Sequence, residues 1–301
     1  MTNIPVSERK QWVGASESAA LFGLSPYTTK FELWHMKVGN IPSPDLSTDE
    51  RVNAGQFMEP SIAAWASHKW HWPILNIKPY RQHPTVDRMG CSLDFETVDG
   101  LEPVEIKNVD NLIFRDGDWE YEGDTILDAP AHHLVQVQHQ LACVPLNRQP
   151  ERGWLIVCVG GNKLYRMEVP RHVDFIAKLE GEVTQFWKTV AANEAPQPNF
   201  DVDANAISLL YGGTGGDFAD LRNNERAREL CETYLEGLEH EKVGKGVKMV
   251  CLAELKTMMK DARGALIDDG YSIKASHLKE QTTVRTAHWR FSIRKKKEPK
   301  R

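Results

Sequence analysis

Two acidic residues and a lysine are spaced so that they can act together. Asp94 lies in a turn-rich stretch, and Glu105 and Lys107 follow in the segment Pro-Val-Glu-Ile-Lys. In a β-strand side chains alternate between faces, so Glu105 and Lys107 point one way while Val104 and Ile106 point toward an apolar core. Carboxylate oxygens suit Mg²⁺, and an adjacent lysine can orient a water or steady a phosphate. The set is the minimum for metal-dependent phosphodiester cleavage, although an acid-x-Lys strand taken alone is usually an exposed strand face.

Three helices are predicted before this strand, over residues 14–24, 28–38 and 49–70. Ser16 is the predicted N-cap of the first helix, and a threonine caps the second. The third is amphipathic and places Phe57, Ile62, Trp65 and Ala66 near one face. Pro60 predicts a kink or a restart directly after Glu59, which would aim that carboxylate into a cleft.

The middle of the chain predicts a mixed α/β core. Strands are expected at 74–80, around 89–95 and at 104–109, followed by a hairpin of 154–159 with 164–169. Between them, the acid-rich interval 110–127 is predicted to be a long loop, either a mobile lid or a substrate-facing insertion. Further helices are predicted at 129–143 and 172–193. In the first of these, Gln136 and Gln140 lie one turn apart, away from the apolar stripe.

A proline-rich linker, Pro196-Gln197-Pro198, divides the chain into a core of residues 1–195 and an extension of residues 196–301. The extension is predicted to hold an antiparallel helical pair, 217–241 and 247–263, which are joined near two glycines. A small β element is predicted within 264–293.

Net charge is −5, but its distribution is uneven. Residues 1–200 carry 18 Lys and Arg against 26 Asp and Glu, whereas residues 274–301 carry 10 basic and 2 acidic residues. A basic end on an acidic body fits contact with a phosphate backbone, and a solvated tail is the alternative.

Five scattered cysteines argue against a disulfide framework, a zinc site or an iron–sulfur cluster, and predict buried reduced thiols. Since no apolar run approaches the ~20 residues of a membrane span and no secretory signal is visible, a cytoplasmic location is expected.

The motifs, taken in order, resemble the lambda-exonuclease and YqaJ-like viral recombination nucleases of the PD-(D/E)XK superfamily. The resemblance runs from about Arg9 to about Trp187, and it is carried by five short segments: Gly14-Ala15-Ser16, Gly55-Gln56-Phe57-Met58-Glu59, Cys91-Ser92-Leu93-Asp94, Val104-Glu105-Ile106-Lys107 and Gln136-Val137-Gln138. It implies a restriction-endonuclease-like fold with a mixed central sheet flanked by helices.

The resemblance also implies a role for each matched residue. Asp94, Glu105 and the Ile106 backbone carbonyl would bind Mg²⁺, for which Mn²⁺ would substitute, and Glu59 would also hold metal. Lys107 would position or activate the attacking water. Gln136 would orient groups in the same site. The catalytic residues would therefore be Gln136 together with Glu59, Asp94, Glu105 and Lys107.

Phosphate contacts would come from Ser16 and from Arg9, by resemblance. Arg285 and Arg290, which lie among aromatic residues near the basic end, are further candidates for DNA binding. Family members digest one strand of linear duplex DNA from the 5′ end and leave 3′ overhangs for phage-type recombination. A ring-shaped homotrimer, a single-strand annealing partner and a phage or prophage origin in a bacterial host are implied in the same way.

Two other functions stay open. One is a structure-specific or sequence-specific endonuclease on the same core, and the other is a DNA-binding or assembly protein that does not cleave. The family's Pro-Asp-Gly turn reads Leu93-Asp94-Phe95 here, which changes the turn geometry because glycine takes conformations that phenylalanine does not.

Overall fold

The computed structural model describes residues 11–76, 80–98, 100–212, 219–268, 271–274 and 293. The chain forms two compact units, Met1–Leu210 and Tyr211–Arg301. The division lies beyond the predicted boundary at residue 195, because Ala206 packs against Phe31 and Ile41 of the first unit. Three arginines predicted to bind DNA, Arg9, Arg285 and Arg290, lie outside the described residues.

The first unit contains six α-helices and nine β-strands within its described residues. A 3₁₀ helix, Ala15–Phe22, precedes them. The α-helices are α1 Lys30–Val38, α2 Glu50–Trp70, α3 Asn111–Asp116, α4 Ala131–Ala142, α5 Val173–Ala192 and α6 Ala204–Tyr211. The strands are β1 Ile74–Asn76, β2 Arg81–Gln82, β3 Gly90–Cys91, β4 Phe95–Thr97, β5 Pro103–Val109, β6 Glu120–Glu122, β7 Thr125–Asp128, β8 Arg152–Val159 and β9 Lys163–Pro170.

A seven-stranded mixed sheet is the centre of this unit, with the strand order β1-β4-β5-β8-β9-β7-β6. The strand that carries Glu105, β5, pairs in parallel with β8 and antiparallel with β4. One face of β5 packs Val104 and Ile106 against Ile62 of α2. A larger core on the opposite face includes Val137 of α4 and Leu179 of α5. The predicted α/β class, a mixed sheet flanked by helices, is therefore confirmed.

The interval 110–127 is not the predicted long loop. It contains α3, β6 and β7, and β7 joins the main sheet through a parallel pairing with β9. The cause is aromatic packing. The ring centroid of Phe114 lies 4.9 Å from the ring centroid of Tyr165 and 5.2 Å from that of Trp119. Burial of these rings stabilises the segment although most of its other residues are polar.

The structure corrects the predicted N-cap of the first helix and the position of Phe57 in the third, and it contradicts the predicted restart at Pro60. Gly14, not Ser16, is the N-cap of the 3₁₀ helix, because the Glu17 carboxylate accepts the Gly14 amide hydrogen at 2.8 Å. Helix α2 continues through Pro60 without a restart. Phe57 does not join its buried face and is 84% exposed, whereas Ile62 is buried as predicted.

The second unit differs from the predicted helical pair. One helix, α7 Glu225–Met259, runs through the glycines that were expected to end the first helix. Each glycine costs a helix only about 1 kcal/mol relative to alanine, and the neighbouring Lys245–Glu241 ion pair, four residues apart, favours continuation. An antiparallel hairpin, β10 Gly264–Asp268 and β11 Tyr271–Lys274, lies within the predicted β element.

All five cysteines are free thiols, but only three are buried; Cys231 and Cys251 of α7 are exposed, unlike the prediction. Within the described ranges, the helices lack the combined length and apolarity of a membrane span.

Candidate active site

The carboxylate of Glu105 is the centre of the candidate site. Its side chain points from β5 toward α4, on the face opposite Val104 and Ile106, and the residue is only 3% exposed. The Lys107 amine, two residues further along the same face, lies 2.6 Å from Glu105 Oε1. The predicted alternation of β5 therefore brings the acid and the lysine together.

Two glutamines of α4 fix the orientation of this carboxylate. Gln136 donates from Nε2 to Glu105 Oε1 at 2.7 Å, and Gln140 donates from Nε2 to Oε2 at 2.5 Å. Residues four apart share one face of a helix, so both amides reach the same acid. Gln136 was predicted to orient groups in the site, whereas Gln140 was not assigned to it. The signal that identifies Gln140 is its spacing from Gln136.

Close packing of α4 on the sheet allows these contacts. Gly153 of β8 lies beneath the helix, and a Cβ atom added there would be 2.8 Å from Cγ1 of Val137. The buried His139 is hydrogen-bonded through Nδ1 to the Ser18 hydroxyl, and its Nε2 donates to the Gly90 carbonyl at 3.0 Å. Burial lowers the pKa of His139 to about 3, so the ring is neutral at physiological pH. This neutral ring ties α4 to the 3₁₀ helix and to β3.

Asp94, between β3 and β4, is the second carboxylate of the site. Its Oδ2 accepts the backbone N–H of Ile106 at 3.2 Å, which holds it beside β5. Burial, with added repulsion from Glu105 and Glu59, raises the pKa of Asp94 to about 8. The Phe95 that replaces the family glycine is itself buried in β4, where it pairs with Val104 of β5.

Glu59 is the third acid, supplied by α2 from the other side of β5. Partial burial raises its pKa, and the negative charge of Glu105 raises it further. The pKa of Lys107 is also raised: burial opposes its charged form, but Glu105 above all, with Asp94 and Tyr27 nearby, favours it. The amine is therefore a cation at neutral pH among three mutually repelling acids.

The donor set fits a hard divalent cation. Within the described residues, no three His, Cys, Asp or Glu side chains are grouped closely enough to form a complete metal cage. Mg²⁺ usually takes only one or two carboxylates and keeps several waters, so Asp94 and Glu105 meet its requirement. A nearby cation would also offset the repulsion that, in addition to burial, raises the pKa of Asp94.

The predicted phosphate contacts are less well defined. Ser16 is exposed in the first turn of the 3₁₀ helix, and no hydrogen bond joins it to the carboxylates in the part of the chain that the structure describes. The roles assigned to Ser16, Arg9, Arg285 and Arg290 therefore stay predictions.

Comparison with known proteins agrees with the expected family. Residues 6–146 match the profile of the YqaJ-like viral recombinase domain. The chain is 26% identical over 235 residues to the uncharacterized protein YqaJ of Bacillus subtilis, which covers 76% of this chain and 69% of that protein. Among solved structures, the alkaline exonuclease LHK-Exo of Laribacter hongkongensis has a TM-score of 0.47 and 16% identity, covering 67% of this chain and 97% of that chain. The values are the same for its complex with dAMP.

Proposed function

We propose that the protein is a metal-dependent deoxyribonuclease, because residues 6–146 match the YqaJ-like viral recombinase domain and because of the acidic cluster described above. Its substrate is linear double-stranded DNA. Hydrolysis proceeds from the 5′ end toward the 3′ end and leaves 3′ single-stranded overhangs for homologous recombination.

The observation that carries this proposal is the fixed carboxylate of Glu105. Three donors, from Lys107, Gln136 and Gln140, bind its two oxygens. Asp94 lies nearby, and burial, with added repulsion from Glu105, raises the pKa of Asp94 to about 8. A protein that only binds DNA gains nothing from adjacent buried acids, because they repel phosphate unless a cation lies between them. The cluster therefore favours a nuclease over a non-cleaving binding protein.

Each residue has a defined task in the proposed reaction. Asp94 and Glu105 would hold Mg²⁺ or Mn²⁺ with the Ile106 carbonyl, while Glu59 contributes charge from α2. When bound, the cation supplies a water of lowered pKa and a positive charge opposite the phosphate. The Lys107 amine donates a hydrogen bond to the attacking water or to a phosphate oxygen. Gln136 and Gln140 keep Glu105 from rotating out of position.

Recognition of the DNA end is assigned to Arg9 and Ser16, which would bind the terminal 5′ phosphate. Arg285 and Arg290 of the basic end would hold the DNA backbone. Assembly as a ring trimer and cooperation with a single-strand annealing protein complete the proposal, by analogy with the family.

Digestion of DNA labelled at one end tests the proposal. Linear duplex labelled at either its 5′ or its 3′ end is incubated with Mg²⁺ beside covalently closed circles. Release of the 5′ label, with the circles intact, is the expected result. Cut circles would move the assignment to an endonuclease. A stable DNA complex without cleavage in Mg²⁺ or Mn²⁺ would favour the binding protein.

A further inference from the structure

One exposed aromatic residue beside the acidic cluster has no role in the chemistry described above. Tyr27, between the 3₁₀ helix and α1, is 80% exposed. Its ring contacts that of His132, which lies one turn before Gln136 on α4, and Gln136 is hydrogen-bonded to Glu105. Because its side chain is exposed to solvent, Tyr27 is accessible to a substrate.

The turn that carries Tyr27 is held by hydrogen bonds. The Ser25 hydroxyl accepts the backbone N–H groups of Tyr27 and Thr28, each at 3.2 Å. Thr29 caps α1, and its hydroxyl donates to Asp203 at 2.6 Å. The ring is therefore presented by a fixed backbone, which lowers the entropic cost of binding a ligand on it.

An imidazole supports the ring from one side. The Tyr27 and His132 ring centroids are 5.8 Å apart, with the planes at 89°. His132 lies in the first turn of α4, and its ring centroid is 3.9 Å from that of His133. The ring centroid of His133 is 5.4 Å from that of Trp119. An edge-to-face contact leaves a face of the tyrosine open for a further ring.

The electrostatics favour a base over a phosphate as the ligand of Tyr27. Burial lowers the pKa of His132, and the positive charge of Lys107 lowers it further, so the imidazole is neutral at physiological pH. Neither ring of the pair then carries a positive charge to pair with a phosphate, and the phenol hydroxyl is left as a neutral donor, whose contribution Tyr27→Phe separates from stacking. Stacking is independent of sequence because every base has a π-face.

We propose that Tyr27 is a positioning residue that stacks on a nucleobase next to the phosphodiester bound at Glu105 and Lys107. This inference rests on the proposed nuclease function and adds a nucleobase-binding position to it. Stacking would hold the DNA strand in register with the acids, so that one bond at a time is presented for cleavage.

The test compares Tyr27→Ala, Tyr27→Phe and Tyr27→Trp with a matched control, Phe200→Ala, which removes an exposed aromatic ring from the segment after α5. Binding is measured in the Lys107→Ala background with duplexes that carry 2-aminopurine at successive positions from the 5′ end. Stacking contributes about 1–3 kcal/mol per base, so Tyr27→Ala should raise the Kd by about 5- to 150-fold. The same variant should abolish the quenching of one 2-aminopurine.

Phenylalanine and tryptophan should restore both signals, because each keeps a ring to stack. With Lys107 intact, Tyr27→Ala should raise KM and should also lower kcat at saturating DNA, because the bound strand is no longer held in register with the acids. If Tyr27→Ala behaves like Phe200→Ala, or if Tyr27→Phe fails to restore binding, the stacking role is contradicted. That failure is distinct from failure of the nuclease proposal, in which the parent protein itself would leave end-labelled DNA uncut.

Discussion

Gln140 Nε2 lies 2.5 Å from Glu105 Oε2, although the two residues are 35 positions apart in the chain. Both side chains are almost completely inaccessible to solvent. A buried carboxylate with both oxygens bound by donors has one orientation, as the proposed role of Glu105 in holding a metal requires. The candidate site is therefore built as much by α4 as by the strand that carries the acid.

Replacement of Gln140 with leucine tests whether this residue orients the Glu105 carboxylate in addition to stabilising the folded protein. The Gln140→Leu variant leaves Glu105 Oε2 without this donor, and we expect about 10- to 100-fold slower DNA cleavage, as for other residues that orient a metal ligand. Loss of the buried hydrogen bond should also lower the free energy of unfolding by about 1–3 kcal/mol.

The matched control is Gln138→Leu, on the same helix. Gln138 is also buried, but its amide donates to the Pro170 carbonyl at 2.7 Å, away from Glu105. It should lose similar stability in a denaturant titration and keep the cleavage rate of the folded protein. Equal loss of cleavage in both variants would contradict the orienting role of Gln140.

Asp94 should make the metal-free protein less stable as the pH rises. Its folded pKa of about 8 lies above the unfolded value of about 3.9, so the folded state binds the proton more tightly. The stability that Asp94 contributes is fully present below pH ~4 and is lost as the pH rises through about 8. Asp94→Asn removes the buried charge and should raise the Tm at pH 8.5 by about 2–4 °C, and by less at pH 5.

Thermal unfolding with and without Mg²⁺ completes this test. Mg²⁺ should raise the Tm of the parent protein more at pH 8.5 than at pH 5, because the cation binds the ionised carboxylates. Asp94→Asn should lose most of that increase. A metal-induced shift that is unchanged in Asp94→Asn would remove Asp94 from the ligand set.

The basic end should set the salt dependence of DNA binding. Each phosphate contact contributes a slope of about −0.9 to a plot of log K against log salt for duplex DNA. Truncation after Gly212 keeps α6, which packs on the first unit, and removes the basic residues beyond 274. It should weaken binding and flatten the slope, and full-length Arg285→Ala with Arg290→Ala should have a smaller effect in the same direction. An unchanged slope would show that the basic end does not contact DNA.

The central strand, with Glu105 and Lys107, could be predicted from the sequence because its signal is local. Alternation in β5 fixes which side Glu105 and Lys107 face, and apolar Val104 and Ile106 identify the core side. The same reasoning identified the hairpin of β8 and β9 and the helix that carries Gln136.

Other features depend on contacts between distant segments and could not be read locally. The interval 110–127 is rich in acids, yet Phe114 packs against Tyr165 of another strand and so orders it. Gln140 resembles a surface residue by type, and its contact with Glu105 depends on the packing of α4 against the sheet, where Gly153 lies close to Val137. The length of α7 could not be predicted because its two glycines are typical of a turn, yet each costs a helix only about 1 kcal/mol.

The most direct test of the account is cleavage of 5′-labelled linear duplex by Lys107→Ala, beside Lys188→Ala on α5, which removes an exposed lysine remote in sequence from the acids. With Mg²⁺, Lys188→Ala should release the label at the parent rate. Lys107→Ala should be at least about 100-fold slower, because it loses the amine beside Glu105, yet should bind the duplex with a Kd within a few-fold of the parent. Full activity in Lys107→Ala would contradict the assignment of the active site.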